Sequence, residues 1–436
     1  MFMSDFSNIY FGDTRRTKLF NKLMSLFLEG KKAIIKNLSS NFSKAQSIYN
    51  FFKNPNIQQE NILKHHQRAT IDRALKEEKN TEILVIQDTT YCNYNSKLAT
   101  KGIGDLGKNQ YGVTKGFCIH NTICINEEQV CLGILDQKIY NHGDYAAKKE
   151  RLRWTGSLKI TKSVLPDAIT ICDRESDFFE FFKEATKLEA KIIVRLTENR
   201  YTKNEELEKI KVKDLLKNKK CTYEYTNFKN RKKISISLCY TNNVEFLSPE
   251  RNKDGNSVFF NVIYAKSIDN NDFEWFIATN IAINSNEDAV KILEKYTKRW
   301  HVEVFHDTLK NCFGIEKIFL REFESIKKLI TMISVAAISI HTMTWTSRSE
   351  ELSKISCLKI VEKDVVIVVH TLLKQKIPEI PPTIKDFVIL IARLGGYPNR
   401  RQDGPPGVKT LYRGWTKVTE CLELYKHLKF NTNCSN

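Results

Sequence analysis

Residues 169–196 read ITICDRESDFFEFFKEATKLEAKIIVRL, and the pattern in this stretch decides the fold class. Ile169-Thr170-Ile171-Cys172 is a short apolar run that stops at Asp173. A helix is predicted from about 177 to 188, then a strand from Lys191 to Leu196. Upstream, Ile83-Leu84-Val85-Ile86 is a second apolar run, ending at Gln87-Asp88. Phe117 to Ile125 and Val130 to Ile139, separated by Asn126-Glu127-Glu128, read as a hairpin, and a charge-rich helical stretch spans about 145 to 163. The order β-β-β-α-β-α-β is an α/β pattern with a mixed sheet.

Outside this core the pattern changes. Residues 197 to about 285 are rich in Asn and Lys, with strands expected at Thr222–Thr226, Ile234–Tyr240, Val258–Tyr264 and Phe273–Thr279, a β-rich insertion of domain size. A strong helix is expected from about 286 to 312, and further helices at about 322–347, 361–374, 383–394 and 408–428. Six of the nine Pro lie between 378 and 406 and mark a jointed tail. Residues 1–69 read as helical through Leu19, Leu23, Leu26, Ile35 and Leu38, with SSNFSKAQSIYNFFKNPN (39–56) a helix capped by Ser and stopped at Pro55.

Composition bounds the function. Lys plus Arg total 69 against 51 Asp plus Glu, a net charge of +18, which favours a polyanionic partner over small-molecule metabolism. Hydrophobic residues at 41% can fill a large core, so disorder is excluded. The eleven Cys show no CxxC pair, and Cys118, Cys124, Cys131 and Cys172 sit in apolar runs, which suits buried thiols in a reducing cytosol. No HExxH is present among the nine His, and no zinc site is expected. The first residues carry no apolar run of signal-peptide length, and Leu329–Trp345 reads as a buried helix rather than a membrane span. Residues 1–69 hold eleven Lys or Arg against four Asp or Glu. That suits DNA-backbone contact, and a solvated helical face reads equally well.

The candidate chemistry lies on two strands and one helix. Asp88 and Asp173 each end an apolar strand, where rigid carboxylates can share a divalent cation, and a plain turn Asp is the alternative for each. The helix over YTKRWHVEVFHDTLK carries a stripe. With Tyr296 at zero, Arg299, Glu303 and Lys310 fall at about −60°, −20° and −40°, and Val302, Phe305, Leu309 and Cys312 fall opposite, between about 160° and 240°. A carboxylate between two cations suits a metal beside phosphates, and a solvated face with i,i+4 pairs is the alternative.

Those four residues, spaced Y-x2-R-x3-E-x6-K, resemble the signature helix of bacterial insertion-sequence transposases of the DDE class, in the branch that includes the transposon-five transposase. IQDTT (86–90) and CDRESD (172–177, with Arg174, Glu175 and Asp177) resemble its two Asp segments. AQSIYNFFKNPN (45–56), IARLGG (391–396) and LYRGW (411–415) resemble its terminal regions, so the likeness runs from about residue 8 to 428.

The resemblance implies a ribonuclease-H-like mixed-sheet catalytic core at 70–376, carrying the β-rich insertion. A helical DNA-binding module at 1–69 and a helical dimerisation region at 377–436 would flank it. It implies Asp88, Asp173 and Glu303 as a triad holding two Mg²⁺ or Mn²⁺ ions, and cut-and-paste transposition by cleavage at element ends, hairpin formation and strand transfer. Tyr296, Arg299 and Lys310 would hold phosphates. Trp275 stands where the family holds a flipped base, or is an ordinary strand Trp; Arg195 matches a DNA-contacting Arg, or is a plain strand-end Arg. The implied partners are double-stranded DNA, as inverted-repeat ends and target, and a second copy of the chain. No membrane partner is implied, and the expected location is cytoplasmic, at the bacterial nucleoid. In one departure, Asp307 stands where relatives often carry Lys. Two other readings are a catalytically silent DNA-binding relative that regulates transposition, and a nuclease without end specificity. The intact triad weighs against the first, and the basic N-terminal module and jointed tail against the second.

Overall fold

Four helices open the chain, α1 (Thr14–Leu28), α2 (Ile35–Leu38), α3 (Phe42–Lys53) and α4 (Gln59–Leu75). The computed structural model describes residues 2–433 apart from 33, 39–41, 79–80, 98, 110–111, 142–150, 198–199, 204–205, 207, 218–222, 230–231, 249–256 and 269–272. The Ser cap expected before α3 lies outside the described residues. Asp13 caps α1 by accepting from the Arg15 N–H. Phe6, Phe11, Phe20, Phe51 and Phe52 meet by their edges and pack these helices together. A domain boundary at 69 falls inside α4, whose Gln67 and Arg73 side chains donate to the Leu135 and Leu132 carbonyls of the sheet.

The strands follow as β1 (Leu84–Asn93), β2 (Gly104–Asn109), β3 (Gly112–Ile125), β4 (Cys131–Tyr140), β5 (Ile169–Cys172) and β6 (Ile192–Arg195). Helix α5 (Leu152–Val164) precedes β5, and α6 (Phe179–Leu188) joins β5 to β6. Residues 145–150 of the helix expected there lie outside the described residues. β4, β3 and β1 run antiparallel in that order, and β5 and β6 continue parallel to β1. The mixed α/β sheet expected from residues 169–196 is present, in an order consistent with a ribonuclease-H-like core.

The segment after 197 begins with a small hairpin, β7 (Tyr201–Lys203) and β8 (Lys209–Lys211), and α7 (Val212–Lys217). Then come β9 (Tyr223–Lys229), β10 (Lys232–Phe246), β11 (Val258–Ser267) and β12 (Glu274–Thr279). The expected start of β9 at Thr222 lies outside the described residues. β12 pairs antiparallel with β6, so these strands extend the main sheet. Among the described residues, ten strands share that sheet.

Alternation along β1 sends Leu84 and Ile86 into one core and Val85 into another. The first core is closed by α8 (Asn286–Thr297), α9 (Trp300–Asp307) and α10 (Phe323–Thr346). Helix α10 is long and apolar enough to cross a membrane, yet its most apolar stretch is wholly buried in the protein, as expected for Leu329–Trp345. On the other face Trp154, Phe179, Phe181 and Phe182 pack with Val194, Phe260 and Val262.

The tail forms α11 (Lys363–Leu372), α12 (Ile384–Leu394) and α13 (Val408–Asn433). IARLGG and LYRGW explain one another here. A Cβ on Gly414 would lie 1.8 Å from the Ile391 carbonyl oxygen, and one on Gly395 would lie 2.0 Å from that of Thr410. Only glycine lets α12 and α13 approach so closely. Tyr412, Trp415 and Thr419 donate to the carbonyls of Gly30, Leu28 and Glu29, satisfying the end of α1. The chain's two ends are thus packed on each other.

Candidate active site

Asp88 is not at a strand end. It is the fifth residue of a ten-residue strand. β1 continues because β3 pairs with it through Asn93, whereas its pairing with β5 runs only to Ile86–Ile171. Beyond that point the β5 flank of β1 is open. Asp88 and Asp173 are each two residues past the last pair, so continuing the register sets them side by side. Parity puts Asp88 on the face of Ile86, the face covered by α9. Asp88 accepts from the Thr89 N–H at 2.8 Å, and Asp173 accepts from the Glu175 N–H at 2.9 Å, capping the turn Arg174–Ser176.

Burial, reinforced by the charge of Asp173, pushes the Asp88 carboxyl up to about 7. Arg299 lies beside Asp88 and opposes that rise without cancelling it. Burial also raises Asp173, against the Glu175 N–H and the positive charge of Arg299. The two acids are therefore short of positive charge.

The helix expected over 286–312 is interrupted. α8 stops at Thr297, α9 starts at Trp300, and Thr308–Cys312 form a π-turn. The break places Arg299 between the helices. Its guanidinium pairs with Asp88 at 3.4 Å and also with Glu303. Burial would weaken the guanidinium's hold on its proton, but Tyr296, Glu303 and Asp88 together outweigh that.

Tyr296 is buried, at 3% exposure, rather than displayed on an open stripe. Its ring meets the Trp275 ring edge-on at 5.3 Å, and its hydroxyl lies with Arg195 and Arg299. Burial pushes the Tyr296 hydroxyl up, against both of those cations. Arg195 also stands over the Trp275 ring at 5.6 Å. Tyr296, Arg299, Arg195 and Trp275 thus form one cluster beside the carboxylates.

Lys310 lies in the π-turn that follows α9. The π-turn winds more slowly than an α-helix and rotates Lys310 off the angle that regular periodicity gives. Its charge bears on Cys92 and on His306, where the charge of Arg299 acts too. Asp307 is matched by Lys409 of α13 at 2.8 Å, so the acid at this position ties α9 to the tail.

Periodicity gave no sign of the polar chain beneath α9. Asn121 is the cross-strand partner of Asp88, and it contacts His306 Nε2 at 3.0 Å. Gln137 donates to Asn121 and to Ser334 of α10, both at 2.8 Å. Burial holds His306 down at about 3, so Nε2 accepts from the Asn121 amide. A His inside an apolar helix face was the only available clue. Glu175, whose charge also reaches Asp88, is paired with Arg153 at 3.0 Å.

Among the described residues, no three acidic, His or Cys side chains are gathered as a ready-made metal site. Asp88 and Asp173 nonetheless fit a hard divalent cation, being paired, buried and under-neutralised. Glu303 joins them only through Arg299.

Residues 146–339 match the family model described as the transposase DDE domain, and residues 341–431 match the transposase Tn5 dimerisation domain. The chain belongs to the insertion-sequence DDE transposases of the transposon-five branch. The first match covers Asp173, Arg195, Trp275, Tyr296, Arg299, Glu303 and Lys310, and Asp88 precedes it. The second begins in the last turns of α10 and runs through the helices that follow.

Proposed function

We propose that this transposase moves its element by cut-and-paste, cleaving double-stranded DNA at the inverted-repeat ends, passing through a DNA hairpin and joining the ends to target DNA. The observation that carries this reading is the placement of Asp88 beside Asp173 at the open flank of β1, with Glu303 linked to Asp88 through Arg299. Asp88, Asp173 and Glu303 would hold two Mg²⁺ or Mn²⁺ ions, which supply charge neutralisation and activation of the attacking oxygen when bound.

The chain's own residues supply the rest. Arg299 pairs readily with phosphate oxygens, and its raised proton affinity keeps it charged at any working pH. The Tyr296 hydroxyl lies between Arg299 and Arg195, and Arg195 offers further donors. Trp275, flanked by Tyr296 and Arg195, presents a ring on which an extruded base can stack. Lys310 serves as a more distant phosphate contact. The basic helices α1–α4 bind the element end, and two copies joined through α11–α13 hold two ends together.

The test is excision of a marked element by purified transposase, with products resolved on denaturing gels. Nicked, hairpin and freed ends should appear in that order. Double-strand breaks that never pass through a hairpin would exclude the hairpin route.

A further inference from the structure

We propose that Arg299 is a stand-in cation, holding Asp88 and Glu303 together until DNA draws it away and lets a divalent ion take its place. This rests on the proposed metal role of the triad and adds a device that couples metal binding to DNA binding.

The geometry is specific. Arg299 sits at the break between α8 and α9, and its two terminal nitrogens reach two different carboxylates, Asp88 Oδ2 and Glu303 Oε1. The planar fork of a guanidinium suits such bridging, which the point charge of an ammonium does not reproduce. A cation shared by Asp88 and Glu303 needs the same carboxylate oxygens that Arg299 occupies, so the two compete. Arg299 thus fills the position between Asp88 and Glu303 that a shared cation would take.

Arg299 also has somewhere to go. Its side chain is 18% exposed, so one edge faces solvent. The Arg195 guanidinium and the Tyr296 hydroxyl lie beside it, so a second anion there meets a further cation and a hydrogen-bond donor. A DNA phosphate there would compete with the carboxylates for the guanidinium. Each phosphate contact that Arg299 makes weakens its hold on Asp88 and Glu303 and raises their affinity for metal. Linkage requires the reverse as well, so metal at the acids frees Arg299 for phosphate. In DNA-free protein the competition weakens metal binding at the site, which limits hydrolysis away from the element end.

The experiment measures Mn²⁺ affinity by titration, following the resonance of free Mn²⁺, in metal-stripped transposase without DNA. Wild type, Arg299→Gln, Arg299→Lys and Asp88→Asn are compared, with circular dichroism confirming that each is folded. Arg299→Gln keeps the volume and removes the charge, and should bind Mn²⁺ about tenfold more tightly than wild type. Arg299→Lys should fall between them. A second arm adds a duplex of the element's own terminal repeat, with Asp88→Asn plus duplex as the blank for Mn²⁺ held by DNA. The duplex should tighten Mn²⁺ binding to wild type and have little effect on Arg299→Gln. Asp88-dependent Mn²⁺ binding that Arg299→Gln leaves unchanged or weakens overturns the stand-in role while leaving the triad intact. Absence of any Asp88-dependent Mn²⁺ binding, even with the duplex, overturns the triad and the stand-in role together.

Discussion

Replacing Asp88 with Asn should stabilise the metal-free protein while abolishing its chemistry. The carboxyl rises from an ordinary value of 3.8 to about 7 in the fold, chiefly through burial. Its side chain is only 12% exposed, so solvent screening takes little from that shift. The unfolded chain releases this proton near pH 4 and the folded chain near 7, so stability falls as pH rises through that window and the loss is complete above 7. A difference of about three pH units corresponds to roughly 4 kcal/mol. Asn keeps an acceptor for the Thr89 N–H and carries no charge, so Asp88→Asn should recover most of that amount at pH 8. For a chain of 436 residues, an unfolding entropy of about 2 cal/mol/K per residue turns this into a rise of about 4 °C in the melting temperature. Scanning calorimetry in EDTA at pH 8 and pH 5 measures it, and the gap between variant and wild type should shrink at pH 5. Added Mn²⁺ should raise the wild-type melting temperature and leave the variant unmoved. A variant that melts at or below wild type at pH 8 would refute the charge deficit at this site.

Three further outcomes are expected. His306→Leu strips the buried Asn121 amide of its acceptor, at a cost of about 1–3 kcal/mol, and should slow cleavage several-fold with DNA affinity unchanged; an equal loss of both would point to a general fold defect. His66, His120 and His341 are fully buried with their proton affinity lowered, first by burial, so the unfolded chain takes up protons before the fold does. Stability should therefore fall below pH 6.5, by up to about 1.4 kcal/mol per pH unit per His, visible in the urea midpoints of Asp88→Asn, which lacks the opposing Asp88 titration; midpoints of that variant that stay flat from 6.5 to 5 would contradict this. Gly414→Val forces a Cβ into the Ile391 carbonyl and should separate α12 from α13, exposing 384–433 to protease and removing the dimer in sedimentation runs; an intact dimer would free the α12–α13 contact from that role.

Much of the architecture was legible because it rests on local pattern. The tail helices at 323–346, 363–372 and 384–394 lie within two residues of the expected bounds, since their apolar spacing, Thr383 cap and Pro punctuation are all local. Asp88 was misplaced within its strand for a non-local reason. Its strand continues on the strength of β3, whose partner residues lie more than twenty positions away in sequence. Tyr296 was expected on an exposed stripe, but Trp275 comes from the edge-to-edge extension of the sheet and covers it. The displacement of Lys310 follows from a π-turn, which a fixed 100° step cannot represent. Helix α4 has a weakly amphipathic pattern that does not announce it as an element, and the expected boundary at 69 lies within it. Its anchors to β4 are polar side chains meeting backbone carbonyls, a contact without periodicity.

The most direct measurement is cleavage of element-end DNA by metal-stripped transposase on adding Mg²⁺, compared across wild type, Asp88→Asn, Asp173→Asn and Glu303→Gln at matched DNA occupancy. Wild type should cut only with metal, and each variant should lose at least about a thousandfold in rate while binding the end as tightly as wild type. Cutting without metal, or wild-type cutting by any one of the three variants, would contradict a metal-dependent site built from these acids.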